Sequence, residues 1–283
     1  MMGLVVKYTV MTSVILLMLG VGLGTPFKQV VEVARKFGLV ARGVLANFVV
    51  VPVLIYLILL WLPLSPEVKI GILLMAAAPV APMAPPFVGM AKGDVPYSVG
   101  LMAIVAVLSI VLTPLILSLT MPGGEGALVL DPMQIVKTLV TVQLIPIAAG
   151  MALRRARPTW SDRLLGFVPK LGQIGLLVGV GLLLASQARQ IVSLEPLAWI
   201  VLIVLVLLSL FVGEWMMMGK SSELRRSLAV STAIRNIPLA FVVANANFPG
   251  TVVAPVTLIF ATFTMVLSVV YGKAMLSREV SSV

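Results

Sequence analysis

The sequence predicts an all-α polytopic membrane protein with about nine transmembrane helices. Of its 283 residues, 60% are hydrophobic and only 11% are charged, whereas roughly 25% are charged in an ordinary soluble domain. A soluble protein of this size could not bury so much apolar surface, and a disordered chain needs the opposite composition. Because the apolar runs are long and do not alternate as barrel strands do, we expect helices.

Apolar runs of membrane-spanning length divide the sequence into nine predicted spans. A spanning helix needs about 20 mostly apolar residues. By this criterion the predicted spans are roughly 8–24, 38–62, 68–90, 95–120, 131–153, 164–186, 195–217, 224–247 and 251–275.

The predicted spans fall into two groups. A glycine-containing connection at 121–131 separates four spans from five. Many carriers consist of two inverted repeats. We therefore expect a single transporter domain over 1–283. Its first repeat, 1–120, would have four helices and lack one, and its second repeat, 131–283, would have five.

Lys and Arg residues in the predicted loops indicate the orientation. Cytoplasmic loops carry an excess of these residues. Loops on the side reached after the first span hold fourteen of the 20, and loops on the opposite side hold four. We expect a multi-pass protein of the plasma (cytoplasmic) membrane, with its N-terminus outside and its C-terminus in the cytoplasm. The fourteen are Lys28, Arg35, Lys36, Arg42, Lys92, Arg154, Arg155, Arg157, Arg163, Lys220, Arg225, Arg226, Lys273 and Arg278.

The third and eighth predicted spans each contain a sequence that interrupts a regular helix. Proline removes a backbone donor and clashes with the preceding turn. Irregular backbone is tolerated at membrane depth only where protein or a water-filled cavity covers it, and paired broken helices mark the binding site of many carriers. We therefore expect both breaks to be interior and to form a site. The prolines are Pro79, Pro82, Pro85 and Pro86 in the third span and Pro238 in the eighth.

Arg235 is the most informative single residue. It lies about 11 residues from either end of its predicted span, and an Arg at the centre of a helix costs at least ~2.5 kcal/mol on insertion scales. No Asp or Glu lies deep in any predicted span. Two kinds of partner stay open: carbonyl groups of the broken helices, in a structural role, or an anionic ligand. The neighbouring Asn236 belongs to the same candidate site, whereas Gln143, Gln173, Asn245 and Asn247 are each expected to be interhelical hydrogen-bonding groups.

The residue types exclude most enzyme chemistry. The chain has no Cys and no His, which removes thiolate nucleophiles, imidazole bases and the usual transition-metal ligands. Ser231 with Arg235 is not a nucleophile–base pair. We expect no enzyme activity, no cofactor, no metal site and no nucleic-acid partner, only the lipid bilayer and a transported small molecule. A channel stays an alternative to a carrier.

Several segments together resemble the bile acid:sodium symporter family over nearly the whole chain. Leu19–Leu23 is similar to a glycine-rich helix of that family, Pro79 and the residues after it fall on its first helix break, and Ala91–Val95 is similar to the turn that follows. Asn236 and the small residues after it resemble the second break. The resemblance implies two crossing broken helices in a core domain, a panel domain, and a crevice between them for a small organic anion, either bile-acid-like or a small carboxylate. The chain resembles the nine-helix form.

The sequence departs from the family pattern at the positions that hold sodium. A Ser-Asn pair of the first sodium site falls on Ala84 and Pro85, which have no side-chain oxygen, although one serine is retained as Ser98. In the second crossover a glutamate falls on Ser231 and a glutamine on Arg235. The candidate site therefore comprises Arg235, Asn236, Ser231, Thr232, Ser98 and Asn47, the last at the position of another family glutamine, together with the break residues Pro79, Pro82, Ala84, Pro85, Pro86 and Pro238.

The resemblance implies a secondary transporter of organic anions that works by alternating access, and these departures predict that it lacks conventional sodium coupling. A cation such as sodium needs several oxygen ligands, preferably with a negative charge among them. Arg does not deprotonate in proteins, so Arg235 would replace the bound cation. The alternative is a sodium-coupled organic anion symporter with rearranged ion ligands.

The predicted orientation can be tested with one introduced cysteine, because the chain has none of its own. In intact cells, Ser282→Cys should react with an impermeant maleimide only after permeabilisation, since the charge bias places this end in the cytoplasm. Labelling without permeabilisation would contradict both the orientation and the odd number of spans.

Overall fold

The computed structural model describes residues 2–121, 131–192 and 194–281, and within these ranges the regular structure is helical apart from one isolated β-bridge. The all-α prediction is therefore confirmed. Most of the connection predicted at 121–131, together with Ser282, lies outside the described residues. In chain order the helices are α1 (Met2–Gly24), α2 (Phe27–Arg35), α3 (Phe37–Leu45), α4 (Val51–Trp61), α5 (Pro66–Ala77), α6 (Ala84–Met90), α7 (Val95–Thr120), α8 (Pro132–Leu139), α9 (Ile145–Ala156), α10 (Pro158–Leu165), α11 (Val168–Val192), α12 (Pro196–Met216), α13 (Ser222–Ala233), α14 (Ile237–Asn247) and α15 (Val253–Ser281), with π-helical segments Ala46–Val50 joining α3 to α4 and Val140–Leu144 joining α8 to α9.

Six helices in the described residues are long and apolar enough to cross a membrane: Phe37–Trp61, Val95–Thr120, Pro132–Ala156, Pro158–Leu182, Pro196–Met216 and Val253–Ser277. A seventh is added if Tyr8–Gly24 and Phe27–Arg35, which meet at 78°, count as one span. The third and eighth predicted spans each consist of two short helices. The nine-span count, the inverted repeat and the orientation stay predictions.

Two surface helices occupy segments that the sequence analysis treated as loops or as part of a span. α2 turns sharply away from α1, and α10 precedes α11, which runs from Val168 to Val192 and not from 164 to 186. α2, with nine residues, is too short to span a bilayer by itself. α10, with eight residues, forms the first part of the candidate span Pro158–Leu182. Their charged residues hid the helical pattern from a criterion based on apolar length.

α1, α9 and α11, with α10 at one end, pack on one another as a panel bundle. α8 belongs to it because it continues into α9 through the π-helical segment, although its own packing is against α7 and α14. Glycines set the helix spacing: a Cβ on Gly150 of α9 would lie 2.5 Å from the backbone oxygen of Leu19 in α1, and one on Gly172 of α11 would lie 3.0 Å from the backbone oxygen of Ser13. Small residues of this kind let membrane helices approach closely, since lipid offers no hydrophobic drive for their association.

The remaining helices form a core bundle around the two broken pairs, α5–α6 and α13–α14. The first helix of each broken pair accepts a hydrogen bond from the turn that follows the other broken pair. The Asp94 amide, after α6, donates to Ser227 Oγ of α13 at 2.6 Å. The Val252 amide, after α14, donates to Glu67 Oε2 of α5 at 3.1 Å. These ties hold the two breaks at a common depth.

The glycine packing predicts a position-specific loss of stability. Gly150→Leu should lower the melting temperature of the purified protein in detergent by several degrees, because overpacking costs about 1–3 kcal/mol. The added side chain would collide with the backbone of α1, which cannot move aside as a flexible side chain can. Gly181→Leu on α11 is the matched control, since no atom of the described residues lies within 4 Å of the added Cβ. Equal melting temperatures for the two variants would contradict the packing assignment.

Candidate functional site

The break between α5 and α6 follows from its prolines. Ala78 precedes Pro79 and is extended, with φ −67° and ψ 141°, because a residue before proline is pushed out of the helical region. α6 begins at Ala84 with Pro85 and Pro86 in its first turn, where a helix needs no backbone donor. Pro82 lies in the turn between the two helices.

The break between α13 and α14 is shorter. α13 ends at Ala233, and Asn236 caps α14 by accepting a hydrogen bond from the Leu239 amide at 3.2 Å. Pro238 lies in the first turn of α14. A capping side chain and a first-turn proline are strong signals for a helix start, which explains why the chain restarts a helix after only three residues.

The two breaks meet in an antiparallel β-bridge between Val80 and Arg235. The Ala81 amide donates to the Ile234 carbonyl at 2.9 Å, and the Asn236 amide donates to the Pro79 carbonyl at 2.8 Å. Backbone groups released by one break are therefore paired with those released by the other, which is necessary at membrane depth.

Two threonines complete this pairing at the last carbonyl of each preceding helix. Thr113 Oγ1 of α7 donates to the Ala77 carbonyl at 2.9 Å, and Thr264 Oγ1 of α15 donates to the Ala233 carbonyl at 2.8 Å. Neither threonine was predicted from the sequence to belong to the site. A threonine in an apolar helix commonly bonds to its own helix, so only the tertiary contact distinguishes these two.

Arg235 is fully buried and holds the end of α5. Its Nη1 donates to the carbonyls of Ala76 and Ala78 at 2.7 and 3.0 Å, and its side chain has an exposed fraction of 0%. Of the two kinds of partner left open by the sequence, the carbonyls are the ones that the structure provides. Its Nε and Nη2 have no hydrogen-bond partner in the described part of the chain.

The charge of Arg235 is balanced by helix dipoles. The C-termini of α5 and α13 both end at the crossing, and each C-terminus is equivalent to roughly −0.5 of an elementary charge. The two together offset the guanidinium charge without a carboxylate. This explains how an Arg is accommodated in the interior with no acidic partner among the described residues.

The other predicted site residues pair among themselves beside the crossing. Ser98 Oγ and Ser231 Oγ lie 2.8 Å apart and share a hydrogen bond. Asn47 Nδ2 donates to the Gly43 carbonyl at 2.9 Å and to Thr232 Oγ1 at 3.4 Å. All four side chains are buried, and Asn47 Oδ1 has no partner in the described residues.

The remaining mid-span amides divide into three groups. Gln143 hydrogen-bonds across helices, as predicted, and its Oε1 accepts from Asn236 Nδ2 at 3.2 Å. Asn245 and Asn247 instead donate to carbonyls of their own helix, Phe241 and Val243, at 3.0 Å each. Gln173 is exposed on α11.

A cavity of about 170 Å³ lies between the panel bundle and the core bundle. None of the sequence-predicted site residues lines it. Its core wall is α14, whose start is capped by Asn236, so the cavity is connected to the crossing through one helix. The lining residues are Met11, Thr138, Thr141 and Val142 of the panel bundle and Phe241, Val242, Asn245 and Ala246 of α14.

Comparison with known proteins agrees with this architecture. The Sodium Bile acid symporter family matches residues 11–194. The "Uncharacterized sodium-dependent transporter YocS" of Bacillus subtilis (strain 168) is 24% identical over 241 residues, which are 82% of this chain and 72% of that protein. The "Probable sodium/metabolite cotransporter BASS2, chloroplastic" of Oryza sativa subsp. japonica is 25% identical over 250 residues, covering 84% of this chain but only 57% of that protein. The chain belongs to the sodium bile acid symporter family, and it is a membrane transporter and not an enzyme.

Proposed function

We propose that this transporter carries small organic anions by alternating access without coupling to sodium, and that Arg235 takes the place of a bound cation. The observation that carries the proposal is the buried guanidinium at the crossing, where Nη1 binds the Ala76 and Ala78 carbonyls. In many carriers a bound cation is coordinated by the carbonyl oxygens that a helix break exposes. In this protein we assign that role to the guanidinium of Arg235, which is covalently part of the chain.

Electrostatic repulsion disfavours a second cation beside Arg235. Two unit charges about 5 Å apart repel by roughly 3 kcal/mol at an effective dielectric constant of about 20. α14 begins at the crossing, and its N-terminus adds roughly half a positive charge there. With the C-termini of α5 and α13 already offsetting the guanidinium, the crossing is positive overall, which attracts anions.

The oxygen ligands present fit sodium poorly. Ala84 and Pro85 supply no side-chain oxygen at the first break. The hydroxyl groups of Ser98 and Ser231 are bonded to each other, and no carboxylate in the described part of the chain bonds to either. A site for a hard cation needs several oxygens with negative charge among them.

The cavity between the bundles offers a donor for the carboxylate group of an organic anion. Thr138, Thr141 and Asn245 provide the hydroxyl and amide groups of the lining. The hydroxyls of Thr138 and Thr141 already donate to the Gln134 and Lys137 carbonyls at 2.8 Å each. Asn245 Nδ2 donates one hydrogen to the Phe241 carbonyl, and its second hydrogen can be donated to a carboxylate.

A sodium-coupled symporter with rearranged ligands is the second candidate. Asn47 Oδ1 is buried without a partner in the described residues, and Thr232 Oγ1 lies next to the same side chain. An unsatisfied buried oxygen is costly unless something binds it. The names of both relatives, which refer to sodium, point the same way.

Transport in proteoliposomes separates the two candidates. A thermal-shift screen of the purified protein against small carboxylates first identifies a ligand, since a ligand at 100 times its Kd adds about 2.7 kcal/mol of stability. Uptake of that ligand should change less than twofold when external sodium is replaced by choline. A dependence of tenfold or more would overturn the proposal in favour of the symporter.

Arg235 variants test whether its charge replaces the ion. Arg235→Lys should keep partial transport, because Lys retains the charge but not the planar fork. Arg235→Gln should lose transport at least tenfold, about 1.4 kcal/mol, and gain no response to sodium. The double variant Ser231→Glu with Arg235→Gln restores both residue types that the family resemblance places here, and should show sodium-dependent thermal stabilisation.

Arg155→Gln serves as the control for these variants, because Arg155 is exposed at the end of α9. It should transport like the parent protein. Normal transport and unchanged stability in Arg235→Gln would show that Arg235 is neither a cation substitute nor an anion ligand.

A further inference from the structure

Two glutamines of one panel helix contact the core bundle. Gln143, in the π-helical segment between α8 and α9, donates through Nε2 to the Ala106 carbonyl at 2.7 Å and to Ser109 Oγ at 3.0 Å, both in α7. Gln134 of α8 donates through Nε2 to the Ala246 carbonyl of α14 at 3.0 Å. The two contacts lie nine residues apart, or about 13 Å along a helix at ~1.5 Å per residue.

Gln143 is also one hydrogen bond away from the crossing of the broken helices. Its Oε1 accepts from Asn236 Nδ2 at 3.2 Å. The backbone amide of the same Asn236 donates to the Pro79 carbonyl at 2.8 Å, and its Oδ1 caps α14. Any rearrangement of the crossing that moves Asn236 therefore acts directly on the panel bundle through Gln143.

The cavity between the bundles lies between these two contacts. Thr138, Thr141 and Val142 on its panel side fall between Gln134 and Gln143 in sequence. Residues 241–246 on its core side fall between Asn236 and the end of α14. α8 and α14 are therefore joined at both ends of the cavity.

The two contacts differ in their access to water. Gln143 is fully buried, and both the nitrogen and the oxygen of its side-chain amide are hydrogen-bonded. Breaking these bonds would leave polar groups unsatisfied in the interior. Gln134 is only half-buried, and water can replace its bond to Ala246. Movement at the Gln134 end is thus easier than movement at the Gln143 end.

The π-helical segment explains why Gln143 faces the core. Pro146 has no amide and its ring would clash with the carbonyl four residues earlier. The Ile145 amide instead bonds to the Val140 carbonyl, which widens the helix by one residue just before the proline. Such segments are frequent at functional sites. Here the extra residue occurs at the position where the panel meets the crossing.

We propose that Gln143 is a positioning residue that fixes the point about which the panel bundle moves on the core bundle, and that the Gln134–Ala246 hydrogen bond is the contact that opens. The inference rests on the alternating access of the proposed function, but not on the substrate or on the role of Arg235. Opening at Gln134 would expose the cavity, while Gln143 keeps α8 and α9 in register with Asn236.

Distances between paired spin labels test this pivot directly in the full chain reconstituted in nanodiscs. Because the chain has no Cys, Trp160→Cys on the panel and Lys220→Cys on the core can be labelled selectively, both being exposed. Gln143→Met should at least double the width of the panel–core distance distribution. Gln134→Met should shift the distribution towards longer or shorter distances without that broadening. Gln173→Met, an exposed glutamine of the panel, should match the parent protein.

A second label pair separates loss of the pivot from loss of structure. Tyr8→Cys and Trp160→Cys both lie in the panel bundle, and their distance distribution should stay unchanged in Gln143→Met. If that internal distribution changes too, the same criterion is applied to Gln143→Leu, which is close in size to Gln but can neither donate to α7 nor accept from Asn236. A panel–core distribution as narrow as that of the parent in the variant with an intact panel would overturn the proposal.

The labels report conformation without a substrate, so this test and that of the proposed function can fail separately. Broadening in Gln143→Met without transport of any carboxylate supports the pivot and overturns the proposed function. Transport by the parent protein, with unaltered transport and unaltered distances in Gln143→Met, overturns the pivot and leaves the proposed function standing.

Discussion

The need to satisfy backbone polar groups at membrane depth governs this structure. Two helices are interrupted inside the protein, and each interruption releases amides and carbonyls that would cost several kcal/mol apiece if left unpaired in hydrocarbon. The breaks pair with each other through the Val80–Arg235 bridge, and Thr113 and Thr264 each bind one further carbonyl. Arg235 binds two more. Without this pairing the crossing could not exist as an interior feature.

A guanidinium is suited to that position because of its charge as well as its donors. The C-termini of α5 and α13 concentrate negative partial charge where they meet, and a positive group stabilises both ends at once. An ion could do the same, but it could also leave, so the crossing would then be stable only when occupied. With Arg235 the stabilisation is permanent. In the proposed function Arg235 replaces the ion, so an ion gradient would supply no energy for transport at this crossing.

The contacts within and between the two bundles have different physical character. Inside the panel bundle, glycines bring backbones into direct contact, and such packing resists sliding. Between the bundles, a cavity separates α8 from α14, and hydrogen bonds from Gln134 and Gln143 join them at its ends. The bundles also pack on each other through α8 with α7, α1 with α14 and α11 with α15. The movement that the proposed alternating access requires must slide these faces as well as break the hydrogen bonds.

Local chemistry determined the helical class, the positions of the breaks and the burial of Arg235. Apolar length, proline geometry and the cost of a charge in lipid act through near neighbours, so they can be read from the sequence alone. The partners of Arg235, the threonines that bind the last carbonyls, the contact of Gln143 with Asn236 and the cavity beside α14 were decided by the tertiary structure. These contacts join residues far apart in the chain, such as Arg235 and Ala76. Which side chains meet there depends on how whole helices are rotated and packed, and no local pattern specifies that.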